Sequence, residues 1–303
     1  MSRGSLGVAG VGLIGGSIAL RARATRSHVI GYDRDSAMLD RSLARGIIDE
    51  IAPDLESLGQ RSETLVIALP VDAAVAALER LAGRPGPALV IDVASVKEPL
   101  VRPGANVANY VGTHPLAGRE RGGVDAADAG LFQNATWAHS PHPDAALIDR
   151  TRTFIAAMGA VALEIDPARH DAIVALTSHL PQALSVLLGA ELAGAASADR
   201  CVMELCGPGM ISMLRLARSP ESVWAPIVGA NAAPLAERLR SIGRAIDRAA
   251  DALAAGDSTA LMSYFEAARD SALALEERFA PDPRSSTYPS PQSISNPVSR
   301  PAR

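Results

Sequence analysis

The sequence predicts an α/β protein in two parts, a parallel sheet with helices on both faces followed by an all-helical segment. Three observations carry that prediction. Through residue 166, short β-branched runs alternate with longer amphipathic stretches, the pattern of βαβ units. A tight cluster of glycines separates the first run from the first long stretch. After Asp166 strand signals fade, and alanine- and leucine-rich segments take over.

Taken in order, strands are expected at residues 5–9, 28–33, 64–69, 88–93 and 107–112, with helices over 13–25, 36–44 and 71–81 filling most of the gaps. A strand at 135–139, a helix over 145–158 and a strand at 160–165 complete the sheet. Helices follow over 168–179, 182–195, 198–205, 210–216, 220–229, 233–255 and 258–279. Such long helices need a partner for their apolar faces, and one small domain offers limited surface, so a homodimer is expected. Residues 281–303 are rich in proline, serine and arginine and read as a disordered tail. The domains are therefore 1–166, 167–280 and the tail from 281.

A net charge of −4 leaves no electrostatic footprint for nucleic acid or an anionic membrane. A small anionic substrate would need local cations. The two cysteines, Cys201 and Cys206, make neither a disulfide framework nor a zinc site, no metal is expected, and a reducing cytoplasm fits best. The apolar run at 6–20 has the length of a signal-peptide core. Its glycines at 7, 10, 12, 15 and 16 argue against that reading. Later apolar runs are each interrupted by charge, so no membrane span is expected.

Gly10-Val11-Gly12-Leu13-Ile14-Gly15 follows an expected strand and opens an expected helix, which makes it a dinucleotide fingerprint and the first part a Rossmann-type dinucleotide-binding domain. Gly10 permits the tight turn, Gly12 lets a pyrophosphate approach the backbone, and Gly15 lets helix pack on strand. The amides of Leu13 and Ile14 begin the helix, where free N–H groups and the dipole attract phosphate. Asp33 ends the second strand, where its carboxylate can accept from both ribose hydroxyls and repel a 2′-phosphate; its other reading is a helix cap. Arg34 beside it could instead pair with such a phosphate. NAD is favoured over NADP.

Gly112-Thr113-His114-Pro115-Leu116-Ala117-Gly118 holds a histidine ahead of a proline, which disfavours helical backbone for the residue before it. His114 should stand in extended or turn backbone at a strand end, where α/β enzymes keep reactive groups. A lone histidine is more often an ordinary satisfied side chain, so the rest of the chain must decide.

It does so by resemblance. Val11-Gly12-Leu13-Ile14-Gly15-Gly16-Ser17, Asp92-Val93-Ala94-Ser95-Val96-Lys97, the His114 block, and His170-Asp171 with Ser178-His179-Leu180-Pro181 occur in the order seen in the prephenate and arogenate dehydrogenases of tyrosine biosynthesis. The likeness runs from Leu6 to about Phe279. It implies NAD-dependent oxidative decarboxylation of prephenate to 4-hydroxyphenylpyruvate, or of arogenate, in a Rossmann domain followed by a helical dimerisation and substrate domain.

His114 is by this resemblance the residue that hydrogen-bonds the reacting hydroxyl. Ser95 would orient it, although Ser95-Val96-Lys97-Glu98 also has capping-box spacing. Lys97 reads as a solvated lysine. Arg215 aligns with the family's carboxylate-binding arginine, with Met210 and Ser212 departing from the usual aromatic and aspartate nearby. Trp224 is either near the pocket entrance or in the core. His179 and Gln182 lie three residues apart on one helical bearing and could share a pocket. His170, nine residues before His179, falls on the opposite side of a continuous helix. His139 and His142 flank prolines in a surface loop with no assigned function. Gln182 is neutral, which suits the keto acid prephenate over the ammonium of arogenate.

Two rivals remain. A hydroxyacid or ketoacid reductase would need a lysine deep in the helical part, yet no lysine follows Lys97. A catalytically silent NAD-sensing protein would need the glycines and Asp33 without His114, Ser95 or Arg215.

Overall fold

The computed structural model describes residues 4–25, 27–119 and 122–279, so the tail from 281 lies outside the described residues. The described residues fall into two compact units that divide between Leu239 and Arg240. The first begins with β1 (Ser5–Ala9), α1 (Leu13–Ala24), β2 (His28–Tyr32), α2 (Ser36–Ala44), β3 (Glu50–Ile51) and α3 (Leu55–Arg61). It continues through β4 (Thr64–Ile67), α4 (Val71–Leu81), β5 (Leu89–Asp92), α5 (Glu98–Gly104) and β6 (Tyr110–Val111). The six strands are all parallel in the order β3-β2-β1-β4-β5-β6. The order reverses between β1 and β4, the switch point at whose carboxyl ends sheets of this kind bind their ligands.

Period-2 alternation builds a core on each side. Leu6, Val8, Val66, Leu89 and Ile91 turn to one face, where α1 brings Ile18 and Ala19. Ala9, Leu65, Ile67 and Val90 turn to the other, under Leu58, Ala74, Leu78 and Leu100 from α3, α4 and α5. Each fully buried Leu, Ile or Val contributes about 1.5–3 kcal/mol, so this two-faced core is the main force holding the half together. β3, α3 and α5 were not anticipated from the sequence; each is short, and α5 carries Pro99 and Pro103.

The expectation of one sheet is corrected. β7 (Thr113–Pro115), β8 (Thr136–His139) and β9 (Val161–Glu164) form a separate three-stranded sheet, with β7 antiparallel to β8 and β9 parallel to it. Where the chain passes from one sheet to the other, the Thr113 amide donates to the Asp92 carboxylate, 3.1 Å away. His114 thus lies in extended backbone in the middle of β7, three residues beyond the end of β6 at Val111. His139, expected in a surface loop, is buried on β8. α6 (Ala145–Ala157) packs Leu147, Ile148 and Ile155 on the first core.

The helical run starts with α7 (Pro167–Val174), a π-helical turn at Ala175–His179, and α8 (Leu180–Ala198). The expected break near Pro181 is a widened turn instead. Pro181 cannot donate to the carbonyl four residues back and would collide with it, so the turn before it takes an extra residue. Residues 167–198 are long and apolar enough, by length and composition alone, to cross a membrane, contrary to the expectation from charge. Yet the run carries His170, Asp171, His179 and Gln182 buried and hydrogen-bonded within the fold. That is the character of a helix packed on protein. α9 (Cys201–Glu204), α10 (Pro208–Met213) and α11 (Glu221–Ala230) follow, then α12 (Ala232–Ala254), which enters the second unit. In that unit a turn at Gly256, with φ of +79°, and an Asp257 side chain bonded to the Thr259 amide start α13 (Thr259–Phe279).

Candidate active site

The glycine loop lies between β1 and α1, at the carboxyl edge of the sheet. Gly10 has φ of +93°, and a Cβ there would collide with the Ala68 carbonyl; a Cβ on Gly15 would collide with the Gly10 carbonyl. A Cβ on Gly12 would meet nothing within 4 Å, so the space over the loop is open. Gly12 caps α1 without any side chain, leaving the first-turn amides near the partly exposed Leu13 and Ile14 for a phosphate. The residues present therefore fit a dinucleotide. Asp33 is not a helix cap, since Asp35 caps α2 by accepting from Ala37 N at 3.0 Å and Met38 N at 3.2 Å. Instead Asp33 accepts from Val11 N at 2.9 Å and Asp35 N at 3.0 Å, which holds its carboxylate beside the loop with lone pairs to spare. Arg34 is exposed next to it.

Behind the histidine block stands a buried polar strut. Lys97 is not solvated; it is 3% exposed, ion-paired to Asp92 and bonded to the Thr113 carbonyl at 2.5 Å. Burial pushes the Lys97 ammonium down from the usual lysine value, against the pull of Asp92. Asp92, wholly buried, also accepts from Tyr110 OH at 2.7 Å, Ala94 N at 2.8 Å and Thr113 N at 3.1 Å. Burial, reinforced by Asp92, pushes the Tyr110 phenol well above its usual value. The strut fixes the backbone on which His114 is carried.

His114 Nδ1 lies 3.0 Å from His170 Nε2, and His170 Nδ1 lies 2.7 Å from Asp171 Oδ1. The histidine rings meet edge-on with centroids 5.1 Å apart. Asp171 also accepts from Lys97 N at 2.8 Å and Glu98 N at 2.9 Å, so it caps α5 from a different helix. Ser95 therefore does not cap α5, and the partner of His114 is His170 rather than Ser95, which lies partly exposed at the end of β5. Burial first, then His170, Lys97 and His179, push His114 well below the ordinary histidine range. It stays neutral near pH 7.

His179 is also buried, and burial pushes it below its ordinary value. Its Nδ1 is 3.0 Å from Asn231 Nδ2, which also donates to the Asp171 carbonyl at 2.9 Å. The widened turn changes the helical bearing, so His170 and His179 join one network rather than opposite faces. Trp224 stands edge-on to His179 with centroids 6.0 Å apart. Gln182 Nε2 donates to the Leu216 carbonyl at 2.9 Å, while its Oε1 is buried without a partner among the described residues. Ser185 Oγ donates to Met213 O at 2.7 Å and accepts from Ala217 N at 3.0 Å. Gln182 and Ser185 thus pin the turn that carries the exposed Arg215. Among the described residues no group of three or more His, Cys, Asp and Glu is placed to hold a metal ion.

Sequence reasoning gave His170 and Asp171 no role beyond their motif and passed over Asn231 entirely. Asn231 lies at the junction of α11 and α12 with no motif around it.

The family model described as the nucleotide-binding domain of prephenate dehydrogenase matches residues 17–164, and that described as its dimerization domain matches 166–267. The prephenate dehydrogenase of Bacillus subtilis (strain 168) is 29% identical over 273 residues, covering 87% of this chain and 74% of that protein. The cyclohexadienyl dehydrogenase of Zymomonas mobilis is 28% identical over 287 residues, covering 89% and 96%. Among solved structures, Synechocystis arogenate dehydrogenase superposes with a TM-score of 0.74 at 26% identity, covering 88% of this chain and 99% of that one. The prephenate dehydrogenase of A. aeolicus, in complex with hydroxyphenyl propionate and NAD+, superposes with a TM-score of 0.84 at 21% identity, covering 91% and 99%.

Proposed function

The chain belongs to the prephenate dehydrogenase family, and from that premise we propose how its residues carry out the NAD-dependent oxidative decarboxylation of prephenate to 4-hydroxyphenylpyruvate. The observation that carries the reading is the His114–His170–Asp171 chain at the carboxyl edge of the sheet, on the same edge as an open glycine loop. NAD, when bound, supplies the hydride acceptor. Gly10, Gly12 and Gly15 with the amides of Leu13 and Ile14 hold its pyrophosphate, and Asp33 holds a ribose. As hydride leaves the hydroxyl-bearing carbon and the ring carboxylate departs as CO2, the hydroxyl becomes acidic. His114, neutral, would accept that proton at Nε2 and return it to the same oxygen as the ring aromatises, so that the product leaves as the phenol. Ser95 lines the cofactor edge of this site. Arg215 binds a substrate carboxylate, and His179 and Trp224 wall the pocket.

Residues 1–166 form the nucleotide-binding part and 167–280 the helical part. The protein acts as a homodimer: exposed Val186, Leu187, Ile211 and Val223 on the helices of the first unit supply apolar surface, and the matching family model is a dimerization domain. The free Cys201 and Cys206 support a reducing cytoplasmic location. Neutral Gln182 leaves the preference with prephenate, with arogenate second. Side-by-side assays of both substrates with NAD+ test this reading; turnover of arogenate alone would overturn it.

Asp33→Ser is expected to shift the ratio of kcat/KM values toward NADP+, since it removes a carboxylate that repels a 2′-phosphate while Arg34 remains. An unchanged ratio would move the determinant elsewhere. Arg215→Ala is expected to raise KM for prephenate about ten-fold or more, the worth of a charge-assisted hydrogen bond, with little change for NAD+. Equal rises in both would make the arginine structural.

The depressed His114 value fixes the pH response. The base form persists well below pH 6.5, so the acid limb of kcat/KM should lie well below the ordinary histidine range. A limb centred at or above 6.5 would contradict it. For stability the sign is the same: the unfolded chain takes up protons at about pH 6.5 before folded His114 and His179 do, so unfolding free energy falls as pH drops through that window.

A further inference from the structure

The polar network behind the site decides which nitrogen of each histidine carries the proton. An ionised carboxylate only accepts, and Asp171 Oδ1 lies 2.7 Å from His170 Nδ1, so that nitrogen bears hydrogen. In a neutral His170 the other nitrogen, Nε2, is then an acceptor. Its partner at 3.0 Å, His114 Nδ1, must be the donor, which leaves His114 Nε2 bare.

The second histidine is set from the other end. A backbone carbonyl also only accepts, so the atom of Asn231 that lies 2.9 Å from the Asp171 carbonyl is the amide nitrogen. That same nitrogen lies 3.0 Å from His179 Nδ1 and donates its second hydrogen there. His179 Nδ1 is therefore bare and its proton sits on Nε2. Among the described residues neither His114 Nε2 nor His179 Nε2 has a hydrogen-bond partner, and neither is sealed from solvent, since among those residues the one orphaned buried side-chain atom is Gln182 Oε1.

We propose that Asp171, through His170 on one side and through Asn231 on the other, locks the two site histidines in opposite tautomers, so that His114 offers an acceptor and His179 a donor. Asp171 is the common point: its carboxylate orients His170 and caps α5, and its carbonyl orients Asn231. Resting on the reading above, the acceptor takes the hydroxyl proton, while the donor hydrogen-bonds an oxygen of the substrate, a carboxylate or the ketone. His170, Asp171 and Asn231 are positioning residues, because they touch neither substrate nor cofactor. A site needing one acceptor and one donor gains from this arrangement because a histidine in the wrong tautomer would point hydrogen at hydrogen or lone pair at lone pair.

The test uses full-length protein labelled with 15N-histidine and no ligand. Long-range 1H–15N correlation spectra at pH 7.5 read the tautomer of each ring, with His114→Asn and His179→Asn used only to assign signals. The expected result is hydrogen on Nδ1 of His114 and on Nε2 of His179. The same tautomer on both rings, or a doubly protonated His170 with hydrogen on Nε2 of His114, overturns the proposal. Asn231→Asp adds a functional arm: a carboxylate facing Nδ1 demands a proton there, so the His179 signal should switch tautomer. KM for prephenate should then rise about ten-fold or more, with KM for NAD+ unchanged. A His179 ring that stays without hydrogen on Nδ1 in the folded variant would count against the Asn231 link. The wild-type spectra stand whether or not that variant folds. They are also independent of turnover, so a failure of the tautomer lock is distinguishable from a failure of the enzymatic reading.

Discussion

His114→Asn is expected to fold, to bind NAD+ with near-parental affinity, and to lose about 10²- to 10⁴-fold in kcat with prephenate, the usual cost of removing a general base. The physical reason is specific to this fold. Strand β7 holds the histidine in extended backbone, the Asp92–Lys97 strut fixes that strand from behind, and His170 orients the ring. Asparagine keeps polarity and approximate size but has no nitrogen that can take a proton near neutral pH. Steady-state kinetics with prephenate, beside a titration of NAD+ binding, checks this. Near-normal kcat in the folded variant would remove His114 from the chemistry.

Lys97→Ala is expected to destabilise the protein by about 3–5 kcal/mol, the typical cost of leaving one member of a buried ion pair uncompensated. Asp92 would keep Tyr110 OH, Ala94 N and Thr113 N as donors but lose the ammonium paired with it. The loss should appear as a lower urea midpoint with an unchanged m-value. The double change Lys97→Met with Asp92→Asn, which removes both charges and keeps volume, should recover much of it. A loss under about 1 kcal/mol for Lys97→Ala would show that the strut is solvated in solution.

These two residues also mark what was legible in the sequence. The extended backbone at His114 was readable because the proline after it restricts backbone locally, and the glycine loop was readable for a similar reason, whereas the role of His114 rested on the resemblance. The sheet followed from period-2 runs whose burial on both faces needs no knowledge of partners. Lys97 was misread as solvated because its partners, Asp92 and Thr113, meet it only once β5 and β7 are brought together. One signal was present: Lys97 is the only lysine in 303 residues, in a chain that otherwise uses arginine for its side-chain cations. Ser95 fitted a capping box on spacing, yet the cap came from Asp171, 73 residues from Glu98. The His170–His179 bearing was misjudged because a 100° step assumes an unbroken α-helix, and the π-helical turn before Pro181 breaks that assumption. Gln182 is expected from the sequence to share a pocket with His179 and to suit a keto acid by its neutrality. Its amide nitrogen instead holds Leu216, so Gln182→Glu would lose that bond as well as change charge.

The central claim is that this chain couples hydride transfer to loss of the ring carboxylate. Its most direct measurement is the stoichiometry of purified protein acting on prephenate and NAD+, with NADH followed by absorbance, CO2 by isotope release and the aromatic product by chromatography. One NADH, one CO2 and one 4-hydroxyphenylpyruvate are expected for each prephenate consumed; prephenate oxidised without release of CO2, or no NADH formed at all, would contradict that coupling.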